Sequence, residues 1–392
     1  MGVKDLNAYQ VLKEEDLKGI KAKGCLLRHK KSGARILLVE KDDDNKVFSI
    51  GFRTPPQDST GVPHIMEHSV LCGSRNFPAK DPFVEMVKGS LNTFLNAMTY
   101  PDKTCYPVAS CNDRDFQNLM HVYLDAVFYP NIYKKEEIFR QEGWSYQLEN
   151  AEGPLKYNGV VYNEMKGAYS SPESLLDSCT QKTLFPDNCY GKDSGGDPAF
   201  IPQLTYEKFL NFHKTYYHPS NSFIYLYGDM DMAEKLDWLD REYLSRYDRQ
   251  PVDSAIHMQK PFEKPVEREI YYSITETEPE EQATYLSVNT VVGDDLDPIH
   301  YMAFQILEYT LIDAPGAPLK EELVKAGIGQ DILGGYENGI LQPYFSVIAK
   351  DADREQLGEF LAVVKGTLRK LADQGINRKS LLAGINYYEF RY

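Results

Sequence analysis

Residues 248–266 (DRQPVDSAIHMQKPFEKPV) form a polar stretch with three prolines, set within a long succession of strand-like and helix-like segments. Proline lacks a backbone donor and fixes φ, so such a stretch continues neither a helix nor a central strand. It divides the chain into a first domain at 1–250, a linker at 251–265 and a second domain at 266–392. In the first, 34–40 (ARILLVE) and 46–52 (KVFSIGF) are β-rich runs on either side of the polar turn Asp42–Asn45, and they predict a hairpin. Helices are expected at about 61–72, 115–128, 136–149, 158–169, 205–217 and 232–246, with a strand at 221–227. In the second, strands are expected near 268–275, 283–292 and 331–348. Helices are expected near 298–312, 317–326, 353–373 and 377–391. Strands and helices come in runs rather than in regular βαβ alternation, which predicts the α+β class. The last helical stretch, GINYYEFRY, reaches Tyr392 without a C-cap signal, so the second domain is expected to be incomplete at its C-terminus.

Charge and cysteine usage exclude several functions. Lys+Arg number 43 and Asp+Glu 58, giving 43 − 58 = −15. Phosphate recognition needs clustered cations, so nucleic acid is not an expected partner. No apolar run is long enough to span a bilayer, so a membrane is not expected either. The six cysteines contain no CxxC pair and are sparse for a disulfide scaffold, which fits a reducing compartment. The N-terminus carries no signal or transit pattern. The cytoplasm is the expected location, and a mature organellar form with its transit peptide removed fits the same sequence.

Chemistry concentrates in His64-Ile65-Met66-Glu67-His68. On a helix, residues i and i+4 share a face, so both imidazoles can reach one ion, with Glu67 beside them. The order H-x-x-E-H inverts the commoner zinc motif. A catalytic zinc needs three protein ligands and an open position for water. Glu164, within VVYNEMKGAY on a predicted helix, is the candidate third ligand, although by residue type alone it is one of many acids. His213 and His218 are better read as core or capping residues than as ligands.

The stretches PHIMEHSVLCGS, KGSLNTFLNAMTYPDKTCYPVAS and GVVYNEMKGAYSSPES resemble the pitrilysin/insulysin family of inverted zinc metallopeptidases. The gap between His68 and Glu164 and the wording VVYNEMKG are similar to its presequence protease and falcilysin branch. YYHPSNSFIYLYGDM at 216–230 and APLKEELVKAGIG at 317–329 agree. The resemblance implies two similar domains, each a mostly antiparallel sheet packed with helices, the second truncated. It implies one Zn²⁺ per chain, held by His64, His68 and Glu164. Glu67 would be the general base for attack of zinc-bound water on a peptide bond. Asn96, Ala97, Met98 and Thr99 match the family's edge strand, where substrate binds by β-augmentation. The implied partners are unstructured peptides and the C-terminal half of the same protein, since whole members of the branch are about twice this long. The alternative from another class is a non-catalytic peptide- or partner-binding module of the same fold.

Overall fold

The computed structural model describes residues 2–80, 82–294 and 296–391. The strands are β1 (Tyr9–Leu17), β2 (Ala22–His29), β3 (Arg35–Glu40), β4 (Lys46–Arg53), β5 (Asn92–Leu95), β6 (Met98–Thr99), β7 (Lys103–Ser110), β8 (Ser145–Gln147), β9 (Lys156–Asn158), β10 (Ser222–Gly228), β11 (Thr284–Val291), β12 (Asp331–Glu337) and β13 (Tyr344–Ala352). The helices are α1 (Val62–Val70), α2 (Pro82–Gly89), α3 (Asp113–Phe128), α4 (Glu136–Glu142), α5 (Val160–Ala168), α6 (Pro172–Leu184), α7 (Tyr206–Tyr216), α8 (Met232–Glu242), α9 (Pro298–Glu308), α10 (Pro318–Lys325), α11 (Leu357–Gln374) and α12 (Arg378–Arg391). Tyr392, on which the reading of an unfinished helix rested, lies outside the described residues.

The chain forms two units: Met1–Tyr169 with Lys192–Ile256, and Ser170–Gly191 with His257–Tyr392. Residues 170–191, inside the stretch that the sequence gives to the first domain, therefore group with the second unit.

The first unit is built on an eight-stranded sheet in the order β1-β2-β3-β10-β4-β7-β5, with β6 also paired to β7. Its neighbours are antiparallel except for the parallel pair β3–β10. Alternation along the strands sends Ile36, Leu38, Phe48, Ile50, Phe52, Ile224 and Leu226 into one core. On α3, Phe116, Leu119, Met120, Tyr123, Leu124 and Val127 fall on the helical period and complete that core. Each such side chain contributes roughly 1.5–3 kcal/mol by leaving water.

The predicted hairpin of 34–52 does not form, because β10 inserts between its two arms. The five-residue connection after β3 is long enough to step over one strand, since adjacent strands lie only ~4.8 Å apart. Its turn instead closes the end of β10: Asp229 N donates to Asp43 O at 2.9 Å, and Tyr227 Oη to Asp43 Oδ2 at 2.8 Å. The helix expected over 136–149 stops at Glu142, where the chain turns into the short hairpin β8–β9.

The second unit has a three-stranded antiparallel sheet, β11-β13-β12. Leu286, Ile332 and Val347 from the sheet meet Leu319 and Leu323 of α10 and Phe360 and Val364 of α11 in its core. The strand expected at 268–275 is absent, and that segment has no regular secondary structure. The helix expected over 298–312 is α-helical to Glu308 and then widens into a π-turn at Tyr309–Asp313. Helix α6 joins this unit through polar contacts. Glu173 accepts from Lys350 Nζ at 2.6 Å and Tyr285 Oη at 2.8 Å, and Asp177 accepts from Tyr344 Oη at 3.0 Å. The Lys350 hydrogen bond above all, with the helix N-terminus and Tyr285, holds the Glu173 carboxyl down at about 2.

Candidate metal centre

Helix α1 divides its residues between two environments. Ile65, Met66 and Val70 are fully buried in the core, while His64 and His68 keep partial access to a cleft. The helix starts at Gly61, which has φ +69°. A Cβ there would lie 2.6 Å from Gly196 Cα and 2.7 Å from Gly195 O, so only glycine allows the 195–196 backbone to press against the helix start. That approach sets a carbonyl on the first histidine: His64 Nδ1 is 3.0 Å from Gly195 O.

A carbonyl only accepts, so His64 Nδ1 carries the proton and Nε2 presents a lone pair to the cleft. His68 has a similar arrangement, with Nδ1 donating to Glu142 Oε2 at 3.3 Å. Burial acts to raise the Glu142 carboxyl, but hydrogen bonds from His68 and Gln141, with the His68 charge and the Cys72 thiol, outweigh it and hold the group below the usual range. Burial likewise acts to lower His68. The hydrogen bond to Glu142 and the charges of Glu67, Glu142 and Glu164 prevail and raise it.

The two Nε2 atoms converge on one carboxylate oxygen. Glu164 Oε2 lies 3.8 Å from His64 Nε2 and 3.8 Å from His68 Nε2. Ligand atoms around a tetrahedral zinc, at ~2.0–2.1 Å from the ion, are about 3.3 Å from one another, so a closure of a few tenths of an ångström would bring this set onto an ion. His64, Glu67 and His68 also group within 4.8 Å of one another, and among the described residues no such group occurs away from this centre. Two imidazoles with fixed tautomers and one carboxylate fit a divalent transition metal with an open position.

Glu67 is 8% exposed and accepts from Thr99 Oγ1 at 3.1 Å. Burial pushes its carboxyl up, and the two histidines and Thr99 offset this only in part.

All these side chains line a cleft of about 690 Å³, whose wall includes Asn96, Ala97, Met98 and Thr99. Met98 and Thr99 pair with Cys105 and Thr104 on β7, which leaves β6 at the sheet edge. Asn96 is fixed through its backbone, from N to Pro107 O and from Tyr123 Oη to its O. Its side chain takes the Ala97 N–H at 2.9 Å.

The structure thus brings together every residue singled out from the sequence, and it adds Glu142 and Gly195. A signal for Glu142 existed: it follows the buried Ile138 and Phe139 by four and three residues, so a carboxylate sits on an apolar stripe. Outside the centre, His213 is a buried core residue bonded to Val127 O and Tyr133 Oη. His218 caps the turn after α7 by accepting from Ser220 N.

Residues 47–166 match the family model described as insulinase (peptidase family M16), and residues 203–387 match that of the peptidase M16 inactive domain. The chain belongs to the M16 peptidase family. Within that family it falls on the presequence protease branch. It is 44% identical over 386 residues to presequence protease 1, chloroplastic/mitochondrial, of Arabidopsis thaliana, an alignment covering 97% of this chain and 36% of the relative. It is 53% identical over 393 residues to protein HypA of Clostridium perfringens (strain 13 / Type A), covering 100% of this chain and 40% of the relative. The M16 chain therefore spans well under half the length of these relatives. Its fold is shared with the crystal structure of pitrilysin (TM-score 0.64, 16% identity, 96% of this chain and 39% of that chain). It is shared also with that of a protease from Helicobacter pylori (TM-score 0.68, 17% identity, 98% and 85%).

Proposed function

We propose that this chain is the metal-bearing part of a zinc metalloendopeptidase that hydrolyses unstructured peptides. The observation that carries the reading is the convergence of His64 Nε2 and His68 Nε2 on a single Glu164 oxygen, with the buried Glu67 beside them and an edge strand along the same cleft. When bound, zinc would make water a nucleophile near neutral pH and polarise the scissile carbonyl. His64, His68 and Glu164 are the proposed ligands.

Glu67 is the proposed general base. Its raised proton affinity and its place beside the histidines suit it to take a proton from the attacking water and pass it to the leaving amine. Thr99 Oγ1, bonded to one carboxylate oxygen, fixes which way Glu67 points. The open side of β6 at Met98–Thr99 would pair with the backbone of an extended peptide, which favours unstructured substrates and gives affinity with little sequence choice. The remaining length found in the relatives is the proposed partner that closes over bound peptide.

Elemental mass spectrometry on protein purified without chelators is expected to find one zinc per chain. Glu67→Gln is expected to keep that zinc and to lower cleavage of an unstructured peptide ~10²–10⁴-fold. Undiminished turnover in this variant would remove Glu67 from the role of base. The short span relative to the relatives favours a second reading, a peptide-binding module that needs the rest of the protein for turnover. Zinc binding and peptide binding without cleavage would establish it.

A further inference from the structure

Two carboxylates touch the histidines, Glu142 at the end of α4 and Glu164 within α5, and what joins them in the chain is the β8–β9 hairpin. We propose that this hairpin is a positioning element for the metal centre, with Tyr157 as its hub, and that it holds Glu164 at the ion-binding position. The inference rests on the zinc reading above.

Glu164 is poorly held by its own surroundings. Its side chain is 54% exposed, and among the described residues its recorded ion pairs are the two imidazoles alone. Helix α5 meets the core through Val161, its one fully buried residue, and the half-buried Tyr162 and Met165. At its C-terminal end α5 is tied to the body of the unit, since Met165 packs on the core and Tyr169 Oη donates to Asp193 Oδ2; its N-terminal end, which carries Glu164's approach to the histidines, is tied to the hairpin. A Cβ on Gly159 would sit 2.2 Å from Gly143 O, so the base of the hairpin closes by direct backbone contact. Asn163 Nδ2, next to Glu164, donates to Asn158 Oδ1 at 2.7 Å.

Rings supply the rest. Tyr157 lies opposite Tyr146 in the strand register and stacks on it at 5.4 Å and 29°. It meets Trp144 edge-on at 5.8 Å and Tyr162 of α5 at 5.8 Å. Trp144 is tied to the body of the unit by Nε1 donating to Leu204 O at 2.9 Å. Tyr146 is 61% exposed and Tyr157 44%, so these rings add little to the core. Their contacts form a continuous path from Leu204 through Trp144 and Tyr157 to Tyr162, two residues before Glu164. Metal–ligand distances tolerate shifts of only about 0.2 Å, so slack anywhere on this path weakens the ion's third ligand.

The test is the zinc Kd of the whole 392-residue chain, by competition with a chromophoric chelator. Tyr157→Ala is expected to weaken zinc ~10-fold, the lower end for groups that orient a ligand. Tyr157→Phe is expected to keep near wild-type affinity, because the contacts to Trp144 and Tyr162 are made by the ring. In a Glu164→Ala background, Tyr157→Ala is expected to cause no further loss, since its effect passes through Glu164. An unchanged Kd in Tyr157→Ala, or an equal loss with and without Glu164, overturns the hairpin's role. If Tyr157→Ala does not fold, the more exposed Tyr146→Ala takes the same test with an expected loss of ~3-fold, and an unchanged Kd there overturns the role equally. A wild-type chain that binds no zinc removes the metalloendopeptidase reading and this inference with it. Wild-type binding with an unaffected Tyr157→Ala removes the hairpin's role alone.

Discussion

The two units use the same materials, a mostly antiparallel sheet and helices laid on it, yet they differ in what their helices do with their faces. In the first unit, α1 turns Ile65, Met66 and Val70 into the core and leaves His64 and His68 facing a cleft. In the second, α10 and α11 commit Leu319, Leu323, Phe360 and Val364 to packing, and no ligand-bearing group of three occurs there among the described residues. The unit's histidines are His257 and His300. The frame is thus neutral towards chemistry. Chemistry enters where one short helix serves a core and a cleft at once, and where neighbouring backbone is close enough to fix its polar side chains.

The sharpest way to break this comparison is to move ligands. His64→Ala or His68→Ala is expected to lower zinc affinity by at least ~100-fold, while His300→Ala leaves it unchanged. Zinc that survives both first-unit substitutions would place the ion elsewhere. Next in size, Phe360→Ala empties the centre of the second core and is expected to cost ~3–5 kcal/mol in denaturant unfolding. Zinc content should persist in that variant under native conditions, and its loss would tie the centre to the second unit.

Acid separates the units as well. Burial pushes His213 of the first unit down to about 4, and it stays neutral while bonded to Val127 O and Tyr133 Oη. The unfolded chain takes up this proton near pH 6.5 and the folded chain only near 4. The associated stability is therefore whole above about pH 6.5 and falls as pH drops towards 4, by up to ~3 kcal/mol. His213→Gln should flatten that slope in unfolding titrations between those limits. The smallest effect belongs to the second unit. Glu173 has a lowered carboxyl, so its contribution is present above about pH 4.5 and is lost as pH falls to about 2. It is well exposed, so Glu173→Gln is expected to change stability by less than ~1 kcal/mol. A larger change would mean that the docking of α6 depends on this one contact.

The centre was more legible in the sequence than the topology around it. The i, i+4 histidines need only a helix to share a face, and α1 supplies it. Glu164 was reachable through family resemblance, because nothing local marks it among many acids. The expected pairing of β3 with β4 fails for a physical reason: a polar turn between two β-rich runs is a local signal, whereas β10 arrives from far along the chain. Helix α6 carries its own local signals, a Ser171 cap whose oxygen accepts from Ser174 N and a proline in the first turn. The early end of α4 follows from Gly143, whose backbone must meet Gly159.

The place of β10 has a consequence for biosynthesis. A ribosome delivers β1–β3 and β4–β7 long before it delivers Ser222–Gly228, so the strand that joins β3 to β4 in the finished sheet is the last of its strands to be made. The backbone at Gly195 that orients His64 also arrives late. The nascent chain therefore carries His64 and His68 for most of the synthesis of this unit without the backbone that orients His64. The interval before β10 arrives is when exposed strand edges most need a chaperone.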